Sequence, residues 1–147
     1  MATNFADLMF SSKTDQWATP QWFFDELNKE FKFTLDPCAD ESNHKLNKYF
    51  TREQNGLQQD WGGETVFCNP PYGKEIQLWV KKCYEEVHTG NCPCVVMLIP
   101  ARTDTKYFHK YIYKKSDIRF IKGRLKFGNS NNSAPFPSMV VVFKKEE

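Results

Sequence analysis

Apolar residues along this chain alternate between helical and strand-like spacing. Phe23, Leu27 and Phe31 recur every fourth residue after Thr19-Pro20, which predicts a helix with Thr19 as N-cap and Pro20 at the first helical position. The strongest helical stripe is Ile76, Trp79, Val80, Cys83, Tyr84 and Val87, in steps of three and four and stopped by Gly90. A shorter one carries Tyr107, Phe108, Tyr111 and Ile112 after the capping run Ala101-Arg102-Thr103-Asp104. Between these lie extended patterns. Phe31-Lys32-Phe33-Thr34-Leu35 alternates and runs into Asp36-Pro37, Tyr49-Phe50-Thr51 is a candidate small strand, and Thr65-Val66-Phe67-Cys68 comes after a Gly62-Gly63 turn. Cys94–Ile99 is continuously apolar up to Pro100, as in a strand buried on both faces. Ile118–Ile121 and Met139–Phe143 predict two closing strands, paired antiparallel at the sheet edge across the polar loop Gly128–Pro137. Alternating strands and helices with a closing hairpin imply a single α/β sheet with helices on both faces.

Composition narrows the picture. A chain of 147 residues with 16% aromatics can build one real core, without repeats or linkers. Residues 1–16 read as a polar N-terminal arm, docked in part, and 17–147 as one domain. Neither a membrane-length apolar stretch nor a secretory signal pattern is present, so a cytoplasmic location and no membrane partner are expected. Five cysteines at irregular spacing fit neither a disulfide framework nor a metal site, and reduced, mostly buried thiols are expected, with no metal. The net charge of +2 hides a local asymmetry, for residues 101–126 hold nine Lys/Arg against two Asp/Glu. That block suits a nucleic-acid-facing surface, although solvated Lys-rich faces are common.

The chemistry centres on Asn69-Pro70-Pro71-Tyr72. Two prolines must end the strand and stiffen the backbone just beyond it. Asn69 then offers a side-chain carbonyl, Pro70 a backbone carbonyl and Tyr72 a flat ring, a set suited to a planar ring bearing an amino group. This stretch resembles the NPPY motif of amino-methyltransferases, and its surroundings over residues 12–143 resemble the phage-type DNA adenine-N6 methyltransferase family. The resemblance implies a Rossmann-like methyltransferase fold with a mostly parallel sheet, and methyl transfer from S-adenosylmethionine to the N6 amino group of adenine in double-stranded DNA. If phage or prophage encoded, the protein would work in the bacterial host cytoplasm.

The same resemblance implies further roles. Thr19-Pro20 is similar to the motif contacting the methionine part of the cofactor, and Asp36-Pro37-Cys38 to the start of its loop, although the usual Gly-x-Gly is replaced by Cys38-Ala39-Asp40. Asp60-Trp61 resembles the position that binds cofactor adenine, with a core tryptophan as the rival reading of Trp61. Glu53 is a surface acid or a ribose ligand. Arg102, Arg124 and Lys126 are expected against DNA, with structural ion pairs as the alternative for the arginines. An amino-methyltransferase acting on cytosine, RNA or protein glutamine, and an inactive nucleic-acid-binding module of the same fold, are the other functions compatible with the residues.

Overall fold

A computed structural model of the chain describes residues 17–128 and 133–145. The predicted arm over 1–16 lies outside the described residues. Four strands form one sheet: β1 (Thr65–Cys68), β2 (Cys94–Pro100), β3 (Asp117–Phe120) and β4 (Ser138–Lys144), in spatial order β1-β2-β4-β3. β1 and β2 are parallel, whereas β4 runs antiparallel to both β2 and β3. The four-stranded sheet is therefore mixed rather than mostly parallel. β4, six of whose seven residues are buried, lies inside the sheet, and because it runs antiparallel to both neighbours two of the three strand pairings are antiparallel, while the exposed β3 takes the edge.

Beyond β1 the sheet continues, among the described residues, as two parallel bridges, Leu35 to Val66 and Asp36 to Tyr49. The predicted strand 31–35 is shortened because Phe31 belongs to the preceding helix. That helix, α1 (Gln21–Phe31), ends on Lys32 in the left-handed region, and the Asn28 side chain accepts from the Phe33 N–H at 2.8 Å. α2 spans Ile76–His88 and buries Ile76, Trp79, Val80, Cys83 and Val87, as its stripe predicts. The Tyr107–Ile112 stripe forms a π-helical turn over Phe108–Ile112 in place of an α-helix. Its N-cap is Tyr107 rather than the run 101–104, with no side-chain cap, and Thr105 Oγ1, one turn earlier, accepts from the Phe108 N–H. The turn stops where Tyr113 becomes extended and Lys114 takes φ 61°.

The two helices lie on opposite faces. Phe24 of α1 packs edge-on against Phe67, with ring centroids 5.2 Å apart, and the buried Cys68 next along β1 lies beside Cys83 of α2. On the α2 face, Tyr84 meets Phe143 of β4. Across the α1 face, Arg119 of the edge strand pairs with Glu30 and lies over the Phe31 ring. Among the described residues, no helix is long and apolar enough to cross a membrane. The five cysteines are free thiols, and Cys68, Cys83 and Cys92 are buried.

One glycine locks the loop beside the sheet's carboxyl edge. A methyl group on Gly56 would overlap the Pro37 carbonyl and approach Trp79 Cη2 at 3.1 Å. Gly56→Ala is expected to destabilise the fold by about 2 kcal/mol or more, because backbone cannot yield as a side chain can. Urea denaturation measures it.

Candidate active site

The carboxyl ends of the Leu35 segment and β1 open on a cavity of about 400 Å³. Its walls include Asn69, Pro70 and Pro71 on one side and Asp36, Pro37 and Cys38 on another. Both strand ends carry candidate residues in the sequence, and the sheet brings them together because Leu35 and β1 are neighbours.

Asn69 is held by contacts reaching back some fifty residues. Its Nδ2 donates to the Trp17 carbonyl and to Thr19 Oγ1, the latter at 2.9 Å. The Trp17 carbonyl can only accept, so it determines which end of the amide faces it. Oδ1 is thereby turned the other way, buried and without a hydrogen-bond partner. Thr19 is itself buried and lines the cavity. It does not cap α1: the N-cap is Pro20, and no side chain caps the helix. The Thr19 hydroxyl is committed to Asn69 instead, and Pro20 supplies carbonyl acceptance for the first helical N–H groups, those of Phe23 and Phe24 at 3.1 Å.

Asp36 is 4% exposed and lines the cavity. Its oxygens accept only long bonds, from the Cys38 N–H at 3.4 Å and the Lys45 N–H at 3.3 Å. Burial dominates and pushes its carboxyl up to about 7, with those two bonds and then the nearby Lys45 charge pulling the other way. Burial likewise raises the Cys38 thiol, with the Asp36 charge adding to it, so Cys38 stays protonated.

Other expected site residues are placed elsewhere. Tyr72 is buried beneath the loop, its hydroxyl donating to the Leu98 carbonyl at 3.0 Å and its ring edge-on to Phe127 and Phe136. It therefore offers no open face to the cavity and instead fixes the motif against β2. Asp60 is fully exposed; its carboxylate accepts from the Gly62 N–H and Asn91 Nδ2, which hold it below the usual range. Trp61 is a core residue, its Nε1–H donating to the Gly56 carbonyl at 2.9 Å. Neither lines the cavity. Asp60→Ala is expected to leave S-adenosylmethionine affinity within about twofold, because an exposed turn acid has no path to the ligand; calorimetry checks this. Glu53 is exposed.

Wall residues outside any motif read from the sequence include Asn43, Lys45, Thr51, Arg52, Asn55, Gly56 and Glu75. The Asn55-Gly56 pair is the available signal. Asn55 takes φ 56° and starts a 3-10 turn over Gly56–Gln58, so this dipeptide marks where the chain bends back onto Pro37. Trp79, part of the core stripe of α2, also lines the wall.

The basic segment reaches the site by backbone. Gly128 N–H bonds to the Ala18 carbonyl, next to the Trp17 and Thr19 groups that hold Asn69, and Phe127 packs against Trp17. Along 124–127 Arg124 and Lys126 are exposed while Leu125 and Phe127 are buried, so the two cations share the outer side of this segment. Arg102 is exposed just past the end of β2.

An α/β sheet with its cavity at a strand end, built around an Asn-Pro-Pro loop, is the arrangement that the comparisons with known proteins address. The solved structure of PH1948 from Pyrococcus horikoshii, a protein assigned to the RNA methyltransferases, superimposes with a TM-score of 0.57 at 11% identity, over 90% of this chain and 87% of that one. The family model described as DNA N-6-adenine-methyltransferase (Dam) matches residues 8–146. The chain is 33% identical over 141 residues to a DNA N-6-adenine-methyltransferase of Haemophilus phage HP1, covering 90% of this chain and 80% of that protein. It is 32% identical over 113 residues to one of Escherichia phage T1, covering 76% of this chain and 46% of the relative. The chain belongs to the DNA N-6-adenine-methyltransferase (Dam) family, whose activity is methylation of adenine N6 in DNA.

Proposed function

We propose that the cavity binds S-adenosylmethionine and that Asn69 and Pro70 present the adenine amino group to it. One observation carries the reading: a buried amide whose nitrogen is doubly anchored and whose oxygen has no partner, on the wall of a cavity. A buried acceptor left unsatisfied costs free energy, which the arrival of an N–H donor relieves. The exocyclic amine of adenine brings two such hydrogens.

The donor set fits the proposed cofactor. Its ammonium group matches the Asp36 carboxylate, its carboxylate matches Lys45 or Arg52, and its uncharged parts match Pro37, Pro71 and Trp79. Because S-adenosylmethionine has no phosphate, the missing Gly-x-Gly cradle is no obstacle. When bound, S-adenosylmethionine supplies a methyl group on a positively charged sulfur.

The chain's own residues act on the amine. Its lone pair is delocalised into the purine, and acceptance of both hydrogens, by Asn69 Oδ1 and the Pro70 carbonyl, frees the lone pair and stabilises positive charge growing on nitrogen. An amide cannot hold the released proton at neutral pH, so the proton passes to solvent. Tyr72 holds the loop in register through Leu98. The target amine is paired inside a duplex, so the base must flip out to reach Asn69. The exposed cations Arg102, Arg124 and Lys126 suit phosphate contact along this approach.

Incubation with methyl-labelled S-adenosylmethionine and duplex DNA, with nucleoside mass spectrometry of the product, is expected to yield N6-methyladenine. Methyl-cytosine, or label only in RNA or protein arms run alongside, would overturn the substrate assignment.

A further inference from the structure

Two tryptophans lie next to each other beneath the cavity, with ring centroids 6.4 Å apart. Their indole N–H groups have different fates. Trp61 donates to the Gly56 carbonyl at 2.9 Å, whereas Trp79 Nε1 is buried and has no hydrogen-bond partner. Trp79 is 5% exposed and contributes to the cavity wall. Its Cη2 approaches the position a Gly56 methyl would take, so the ring is wedged at the loop that closes onto Pro37. Packing alone does not call for this residue, since phenylalanine would serve the apolar stripe of α2 without burying an unsatisfied donor.

We infer that the Trp79 indole N–H donates a hydrogen bond to the nucleoside part of the bound methyl donor. An indole N–H can only donate, so its partner must be an acceptor. The charged acceptor of S-adenosylmethionine, its carboxylate, has cations available at Lys45 and Arg52. A neutral donor on a ring that lines the cavity suits a neutral acceptor, a purine ring nitrogen or a ribose oxygen, and the ring itself adds apolar contact. Trp79 is thus a cofactor-binding residue, separate from the Asn69 and Pro70 groups that meet the reacting amine. The inference rests on the cavity being the S-adenosylmethionine site.

The test uses the whole chain with 15N-labelled tryptophan. Addition of S-adenosylmethionine is expected to move the Trp79 indole N–H resonance downfield and slow its exchange with solvent. Adenosine alone at high concentration moves it in the same direction, and methionine alone leaves it in place. In Trp79→Phe, KM for S-adenosylmethionine rises about tenfold while kcat stays within about twofold, the signature of lost ground-state binding. Should that variant fail to fold, the wild-type resonance decides the matter, assigned through the other protons of the Trp79 ring and its neighbours in α2, since the indole N–H bound at the Gly56 carbonyl is that of Trp61. Calorimetric titration of the wild-type chain separates the two readings: no binding of S-adenosylmethionine overturns both, and binding with an unmoved Trp79 resonance overturns this inference alone. A response to methionine but not adenosine overturns the nucleoside assignment.

Discussion

Asn69→Ala is expected to lower kcat for adenine methylation by about a thousandfold, with S-adenosylmethionine affinity within a few-fold of wild type. The magnitude is that of removing one preorganised partner of a charge that develops only in the transition state. Preorganisation is visible in the resting structure. Trp17 and Thr19 hold the amide nitrogen, so the oxygen is fixed before any substrate arrives. Alanine removes the acceptor and also takes this donor away from the Trp17 carbonyl, so the entry to α1 loosens and Tm drops slightly. Asn69→Asp separates the two effects. It keeps an acceptor toward the substrate but sets a carboxylate oxygen against the Trp17 carbonyl, so it should lose more stability and less activity than alanine. Single-turnover kinetics with DNA, beside thermal denaturation, measures both. Alanine turnover within tenfold of wild type would remove Asn69 from the chemistry.

The anchoring of Asn69 also shows what the sequence could convey. Periodicity located α1, α2, β2 and the closing hairpin because each depends on which side of a local element is buried. Asn69 and Pro70 were legible because proline constrains backbone locally. Thr19 was singled out by resemblance, but its bond to Asn69 was not legible, because a threonine before proline reads as a cap and only the tertiary fold reveals where its hydroxyl goes. Asp60 and Trp61 fail to reach the cavity for a similar reason. Gly56 carries the chain onto Pro37, so the residues after it turn under the wall, where the Trp61 N–H is satisfied by the Gly56 carbonyl. The same close approach brings Thr51, Arg52 and Asn55 to the wall in their place. Mixed sheet order was likewise hidden, since periodicity reports burial and not the direction of a neighbour.

The pH response of this protein should be governed by Asp36. Its carboxyl ordinarily titrates at 3.8 and is pushed up to about 7 by burial. Between those values the folded chain keeps a proton that the unfolded chain has released, so stability is full below the lower value and declines as pH rises toward the upper one. The loss is on the order of 4 kcal/mol across the window. Glu30, Asp60 and Glu64 act oppositely, since their partners hold them below their usual values and their contribution is lost only as pH falls into the acid range. Asp36→Asn is therefore expected to raise Tm of the ligand-free protein at pH 8 and to flatten its decline between pH 5 and 8. The same substitution should weaken S-adenosylmethionine binding about 10- to 100-fold, the cost of losing a charged partner for the ligand ammonium. For the wild type, binding at pH 6 should release a proton, since a cation beside Asp36 restores its ionised form, and affinity should climb toward pH 8. Calorimetry in buffers of different ionisation enthalpy reads that proton directly. A variant that gains stability and loses affinity would identify Asp36 as a charge kept buried for its ligand, whereas an Asp36→Asn profile parallel to wild type would mean that water already solvates the carboxylate in the open cavity.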